Sequence, residues 1–191
     1  MKKVLIYTLY LLVVWGSFRY FVDLPPIIEE LWFKPVIWLV PLFWWNVSLK
    51  NSVSLFDGSI VKSVIYGSLA AIFYFFITSL WREISSVNLE LLGIAMVTAV
   101  VEELTFSGFL LGYLLRKKTD WVLSLVLIGF LTALIRIPIL LFGYQLEFRQ
   151  GMPALIFVFS SAMINAYIRL KSKNVTGSVL ARTVLNLGSI V

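Results

Sequence analysis

The stretch AVVEELTFSG, residues 99–108, decides how this chain is read. Glu102 and Glu103 stand side by side in a run that otherwise reads as membrane-spanning helix. A charge at the bilayer centre costs ~2.5–3.5 kcal/mol on insertion scales, so such residues face a protein interior or a watery cavity. The two side chains leave the helix ~100° apart, so one can meet a cavity while the other meets a neighbouring helix.

The rest of the chain agrees that the solvent is lipid. Of 191 residues, 60% are hydrophobic and 14% charged, where a soluble domain carries ~25% charge. That length holds six or seven spans of ~20 residues and little else. We read them as Lys3–Val22, Pro25–Leu49 (interrupted by Pro35 and Pro41), Ile60–Leu80, Asn88–Leu115, Trp121–Phe142, Pro153–Ile168 and a short Gly177–Val191, partial or re-entrant. The fold expected is an all-α membrane helix bundle, one domain over 1–191. The first segment lacks a cleavage site after a short apolar core, so it reads as an anchor and not a signal peptide.

The chain has no cysteine and no histidine. A thiolate nucleophile is excluded, and the commonest metal ligand and general base are absent. Two carboxylates without histidine make a poor zinc site, so neither metal nor cofactor is expected. The net charge of +6 lies spread through the loops. It fits the positive-inside rule better than a nucleic-acid patch. With the N-terminus inside, the inner loops hold Lys2, Lys3, Lys50, Lys62, Arg116, Lys117, Lys118, Arg169, Lys171 and Lys173. The outer ones hold Arg19, Lys34, Arg82 and Arg149, beside Glu29 and Glu30. That bias places the N-terminus in the cytoplasm.

Four ionisable residues fall within spans on this reading: Glu102, Glu103, Arg136 and Arg182. Their charges sum to zero. Arg182 lies close enough to the start of the last segment to snorkel to the interface instead. Ser107, Thr105, Thr132, Thr183 and Asn186 are polar companions. From chemistry alone, ion pairs and small polar residues that hold membrane helices together explain these residues as well as catalysis does.

The motifs add more. VVEELTFSGFLLGYL (residues 100–114) resembles the Glu-Glu-x-x-Phe-Arg-Gly motif of the CAAX protease and bacteriocin-processing (CPBP, or Abi) family of intramembrane glutamic endopeptidases. Ser107 stands where the motif has arginine. FLTALIRIP (130–138) resembles its Phe-x-x-x-His helix, with Thr132 for the phenylalanine and Arg136 for the histidine. TGSVLARTVLNLG (176–188) resembles the closing motif, with Asn186 at the second histidine position. The resemblance covers about residues 88–191.

It implies Glu102 as the base that activates a water, with Glu103 as its partner and Asn186 beside them, and Arg136, Ser107 and Thr132 as binding residues. The implied substrate is a membrane-associated peptide, in the family a prenylated one, and the implied location a bacterial plasma membrane. The departures point elsewhere. Arginine is always protonated and cannot shuttle a proton, and asparagine cannot accept one. Arg136 is therefore expected to ion-pair with the glutamates and Asn186 to face the same cluster. The leading expectation is a pseudoprotease, a membrane scaffold, immunity (bacteriocin immunity included) or regulatory partner that binds another membrane protein. The alternatives are an active CAAX-type endopeptidase using Glu102, or a small transporter or channel. No internal repeat favours the last.

Overall fold

The computed structural model describes residues 2–22, 24–47, 53–81, 89–143 and 147–190. Over these the chain is helical, and its one β-bridge joins Phe56 to Asn174. Helix α1 is Lys2–Phe21, and α2 covers residues 26–47 with a π-helical turn at Glu29–Phe33. Helix α3 is Ile60–Trp81, and α4 is Leu89–Arg116 with a π-helical stretch at Leu104–Leu110. Helix α5, Trp121–Pro138, runs on into a π-helical end at Ile139–Gly143. Helices α6, Phe148–Ser172, and α7, Thr176–Ile190, complete the bundle.

Five of these are long and apolar enough to cross a membrane: α1, α3, α4, α5 and α6. The chain is a multi-pass integral membrane protein. Of the other two, α2 carries Glu29, Glu30 and Lys34 in its first turns, and α7 has 15 residues, short of the ~20 needed to span. Pro35 and Pro41 do not interrupt α2, which stays helical through both. Pro35 follows closely on the π-helical turn Glu29–Phe33, and neighbouring helices and local π adjustments compensate a missing N–H inside a bundle. The ends at Leu49, Asn88 and Val191 lie outside the described residues.

Helix α4 is the axis. In its most apolar stretch 78% of residues are buried, against 28–44% in the other four spans. A helix apolar all round and packed on every side belongs at a bundle centre. Around it stand α2, α5, α6 and α7, with α1 against α5 and α3 against α7. The α3–α7 contact is the most extensive. There Ser63 Oγ accepts from the Gly177 N–H at 2.8 Å, and a Cβ on Gly67 would lie 2.3 Å from the Gly177 carbonyl oxygen. Small residues at such crossings let backbones touch where lipid supplies no hydrophobic drive.

Loops fix the registers. Asp120 caps α5, accepting from the N–H groups of Val122 (2.9 Å) and Leu123 (3.0 Å). Glu147 and Gln150 form a capping box on α6. The 53–59 segment ties α3 to the α6–α7 turn through Gly58 N–H to Lys173 O (3.0 Å) and Val175 N–H to Leu55 O (3.1 Å). That turn, with Lys173 left-handed at φ 56°, sets where α7 enters beside α4. It thereby sets where Arg182 lands.

Candidate functional site

Glu102 and Glu103 lie at the middle of α4, both 3% exposed, and the next residue begins its π-helical stretch. Such wide turns tend to mark functional sites in helices. Here π-turns also follow Arg136 on α5 and hold Glu29 and Glu30 on α2. The two carboxylates diverge as the helix geometry requires, and they meet different neighbours.

Glu102 is ringed by cations. Its Oε2 accepts from Arg182 Nε at 2.9 Å and Nη2 at 2.6 Å. Its Oε1 accepts from Lys34 Nζ at 2.9 Å and Arg136 Nη2 at 2.5 Å. Both oxygens are thus committed. Arg182 is 2% exposed, so it does not snorkel to an interface. Four residues after Ser178, it lies on the face of α7 that packs on the bundle. Charge-assisted bonds of this kind are about twice as strong as neutral ones.

Glu103 turns to neutral donors. Ser107 Oγ donates to it at 2.5 Å from the next turn of α4, and Asn165 Nδ2 donates at 2.8 Å from α6. Tyr74 of α3 holds that asparagine by donating to its Oδ1 at 3.1 Å. Arg136 therefore serves Glu102, and Ser107 serves Glu103. Asn165 and Tyr74 escaped the sequence reading. A lone asparagine in the apolar run of α6 is the signal that points to the first of them.

The cluster reaches further than four charges. Lys34, 2% exposed, also bonds Glu30 at 2.7 Å, and Thr98 donates to the same Glu30 oxygen at 2.7 Å. Arg19 pairs with Glu30 at 2.9 Å and with Glu29. The placement of Arg19, Lys34, Glu29 and Glu30 in outer loops is thus corrected. They form one end of a buried network in which four cations, Arg19, Lys34, Arg136 and Arg182, pair with three carboxylates, Glu29, Glu30 and Glu102, while Glu103 adds a fourth negative charge beside them without a direct ion pair. An unpaired charge at such depth would be costly, and the balance avoids it.

A narrow cleft reaches Glu102, with Trp15, Trp38, Phe106 and Ile135 as its apolar walls. Thr132 lines it too, donating its hydroxyl to the Ile128 carbonyl at 2.7 Å. The space is small, about 10 Å³, enough for roughly one water. Asn186 is buried on α7, but its Nδ2 donates to the Ala95 carbonyl at 3.3 Å. Ala95 precedes Glu102 by about two helical turns. Arg182, one turn before Asn186, is the α7 residue that meets the glutamate.

Residues 84–188 match the family described as type II CAAX prenyl endopeptidase Rce1-like. The chain belongs to that family. The match spans α4 to α7 and so contains Glu102, Glu103, Arg136 and Arg182, while Lys34 and Glu30 come from the helices that precede it. No curated protein and no solved structure matches the chain closely enough to add to this. Within this Rce1-like core, Asn165→Leu tests the hydrogen bonds of Glu103. A buried carboxylate stripped of a donor costs about 1–3 kcal/mol. We expect thermal unfolding in detergent several degrees below wild type, and a melt unchanged within about a degree would contradict the assignment.

Proposed function

We propose that this is a non-proteolytic Rce1-like protein that acts by binding another membrane protein, as a scaffold, immunity or regulatory partner. The observation that carries the reading is the state of Glu102. A general base must hold a water within hydrogen-bond reach and accept its proton. Here both oxygens are taken by Lys34, Arg136 and Arg182, and no imidazole exists in the chain to assist. Those three cations occupy the positions from which a water would have to approach the carboxylate. Glu103 escapes ion pairing in its direct bonds, yet it does not line the cleft. The polar centre serves to fix α2, α4, α5 and α7 together and so to shape the surface presented to a partner.

The orientation proposed is N-terminus in the cytoplasm of a bacterial cell. Moving Arg19 and Lys34 into the protein interior leaves Arg82 and Arg149 as the outer basic residues, which sharpens the positive-inside bias.

The test is cleavage of a farnesylated, CAAX-ended peptide by the purified protein in liposomes, with an active family member alongside. Wild type and Arg136→His are both expected to release no product, because Lys34 and Arg182 still hold Glu102 in the variant. The alternative has one observation in its favour, the water-sized space beside Glu102. Cleavage by wild type that Glu102→Gln abolishes at equal protein level would establish it and end the scaffold reading.

A further inference from the structure

The end of the bundle where α1 begins and α4 stops carries cations that the buried network does not use. Lys2 and Lys3 open α1, and Arg116, Lys117 and Lys118 lead out of α4, all five exposed. Both helices are long and apolar enough to span, so these residues stand at span ends, the depth of lipid headgroups. Side-chain contacts join the two ends into one surface. Lys3 Nζ lies 5.9 Å from the centre of the Trp45 ring, near the end of α2, and Lys117 Nζ lies 5.9 Å from that of Tyr113. The two rings pack together, their centroids 5.2 Å apart.

How these lysines are held matters. A ring face attracts an ammonium through its quadrupole and leaves N–H donors for another acceptor. Neither ammonium has a carboxylate or hydrogen-bond partner among the described residues. The described acids at this end are already in use. Asp120 caps α5, and Asp57 accepts from the Ser54 hydroxyl. Apolar surface lies beside the cations: Leu5 and Ile6 follow Lys3 on α1, and Trp44 and Val47 stand at the end of α2, all exposed.

We propose that this surface binds an anionic phospholipid, whose phosphate is shared by Lys3 and Lys117 over the Trp45–Tyr113 pair. Basic clusters at span ends recognise anionic headgroups. Two ammoniums already seated on neighbouring rings lose less freedom on binding than free lysines would. A lipid is favoured over an acidic protein segment because the donors stand at span ends with apolar surface next to them. Free phosphate would meet the charges but gain nothing from that surface. Neither lysine touches the Glu102 network, so this proposal and the previous one fail separately.

The experiment is thermal unfolding of the whole protein in neutral detergent, titrated with phosphatidylglycerol, phosphatidylcholine or inorganic phosphate. Salt is held at ~0.15 M, where exposed charges more than ~8 Å apart are largely screened from one another. Phosphatidylglycerol is expected to raise the midpoint by several degrees, and the other two by clearly less. Lys3→Gln with Lys117→Gln should weaken the apparent affinity for phosphatidylglycerol ~10-fold or more. Both side chains are exposed, so the lipid-free midpoint should stay within about a degree of wild type. Lys171→Gln with Lys173→Gln removes as much charge from the same end, but at the α6–α7 turn, where Lys171 lies over Tyr167 instead. That variant, and Arg149→Gln at the opposite end, should keep the wild-type affinity. The proposal is overturned if Lys171→Gln with Lys173→Gln weakens binding as much as the Lys3 and Lys117 pair, which would make the effect diffuse charge. It is equally overturned by unchanged affinity in the Lys3 and Lys117 variant, by phosphatidylcholine or inorganic phosphate matching phosphatidylglycerol, or by an acidic peptide that binds these lysines when the lipid does not.

Discussion

Glu102→Leu is expected to leave little folded protein in the membrane. Removing one partner of a buried ion pair costs ~3–5 kcal/mol, because the other charge is left uncompensated. Here one carboxylate serves three cations, and they do not suffer equally. Lys34 keeps Glu30 at 2.7 Å. Arg136 is 26% exposed and has a route to the surface. Arg182 fares worst: 2% exposed, it loses its direct ion pair and keeps a 3.4 Å contact to Ser161 Oγ and the more distant charge of Glu103. The loss falls within the ~5–15 kcal/mol that a typical fold has in total. Glu102→Gln retains an acceptor and should fall between leucine and wild type. The discriminating variant is Glu102→Leu with Arg182→Met, which removes that charge with its partner. Folded yield and melting temperature of the double variant should recover well above the single one. A double variant no better than Glu102→Leu, or a single variant that melts like wild type, would show that Arg182 does not depend on this carboxylate.

The spans, the central place of the glutamates and the Arg136 contact were legible because hydropathy and burial cost are local properties of sequence. A charged residue in the middle of a long, mostly apolar run has few places to go. Arg182 was legible in principle and misjudged in part. Gly177–Ser178, Ala181–Arg182 and Leu185–Asn186 recur every four residues and are all buried in the fold, so a snorkelling arginine would have had to leave the apolar face its neighbours define.

Lys34, Glu30, Glu29 and Arg19 were illegible for a different reason. They lie near helix ends, where sequence alone cannot distinguish an interfacial charge from one folded inward. Glu30 and Lys34, four apart, hinted at one pair. Their convergence on Glu102, 68 residues along the chain from Lys34, is a property of packing. The same holds for Glu103 and Asn165. Helix geometry already sets the two glutamates ~100° apart; the partners each one meets, cations for Glu102 and neutral donors for Glu103, come from tertiary structure.

Gly177→Val and Gly93→Ala are expected to change stability in opposite directions. A Cβ at Gly177 would lie 1.9 Å from the Ser63 carbonyl oxygen and 2.6 Å from its carbon. Those are backbone atoms of a packed helix and cannot step aside. Helix α7 cannot retreat either, because α4 lies on its other side with Ala95 and Ala99 fully buried. Overpacking in cores costs ~1–3 kcal/mol when side chains can adjust, and here the obstacle is main chain. The cost should reach or exceed the top of that range. The displacement also carries Arg182, five residues on, away from Glu102, so the network loosens with the helix contact. At Gly93, in the first turns of α4, a Cβ meets nothing within 4 Å. Replacing a helical glycine by alanine there removes an entropic cost of roughly 0.5–1 kcal/mol. Melting temperatures of the two variants in one detergent should bracket wild type, with Gly177→Val far below and Gly93→Ala slightly above. A Gly177→Val protein as stable as wild type would mean that α3 and α7 do not cross at this glycine, and that Arg182 reaches the bundle centre by another packing.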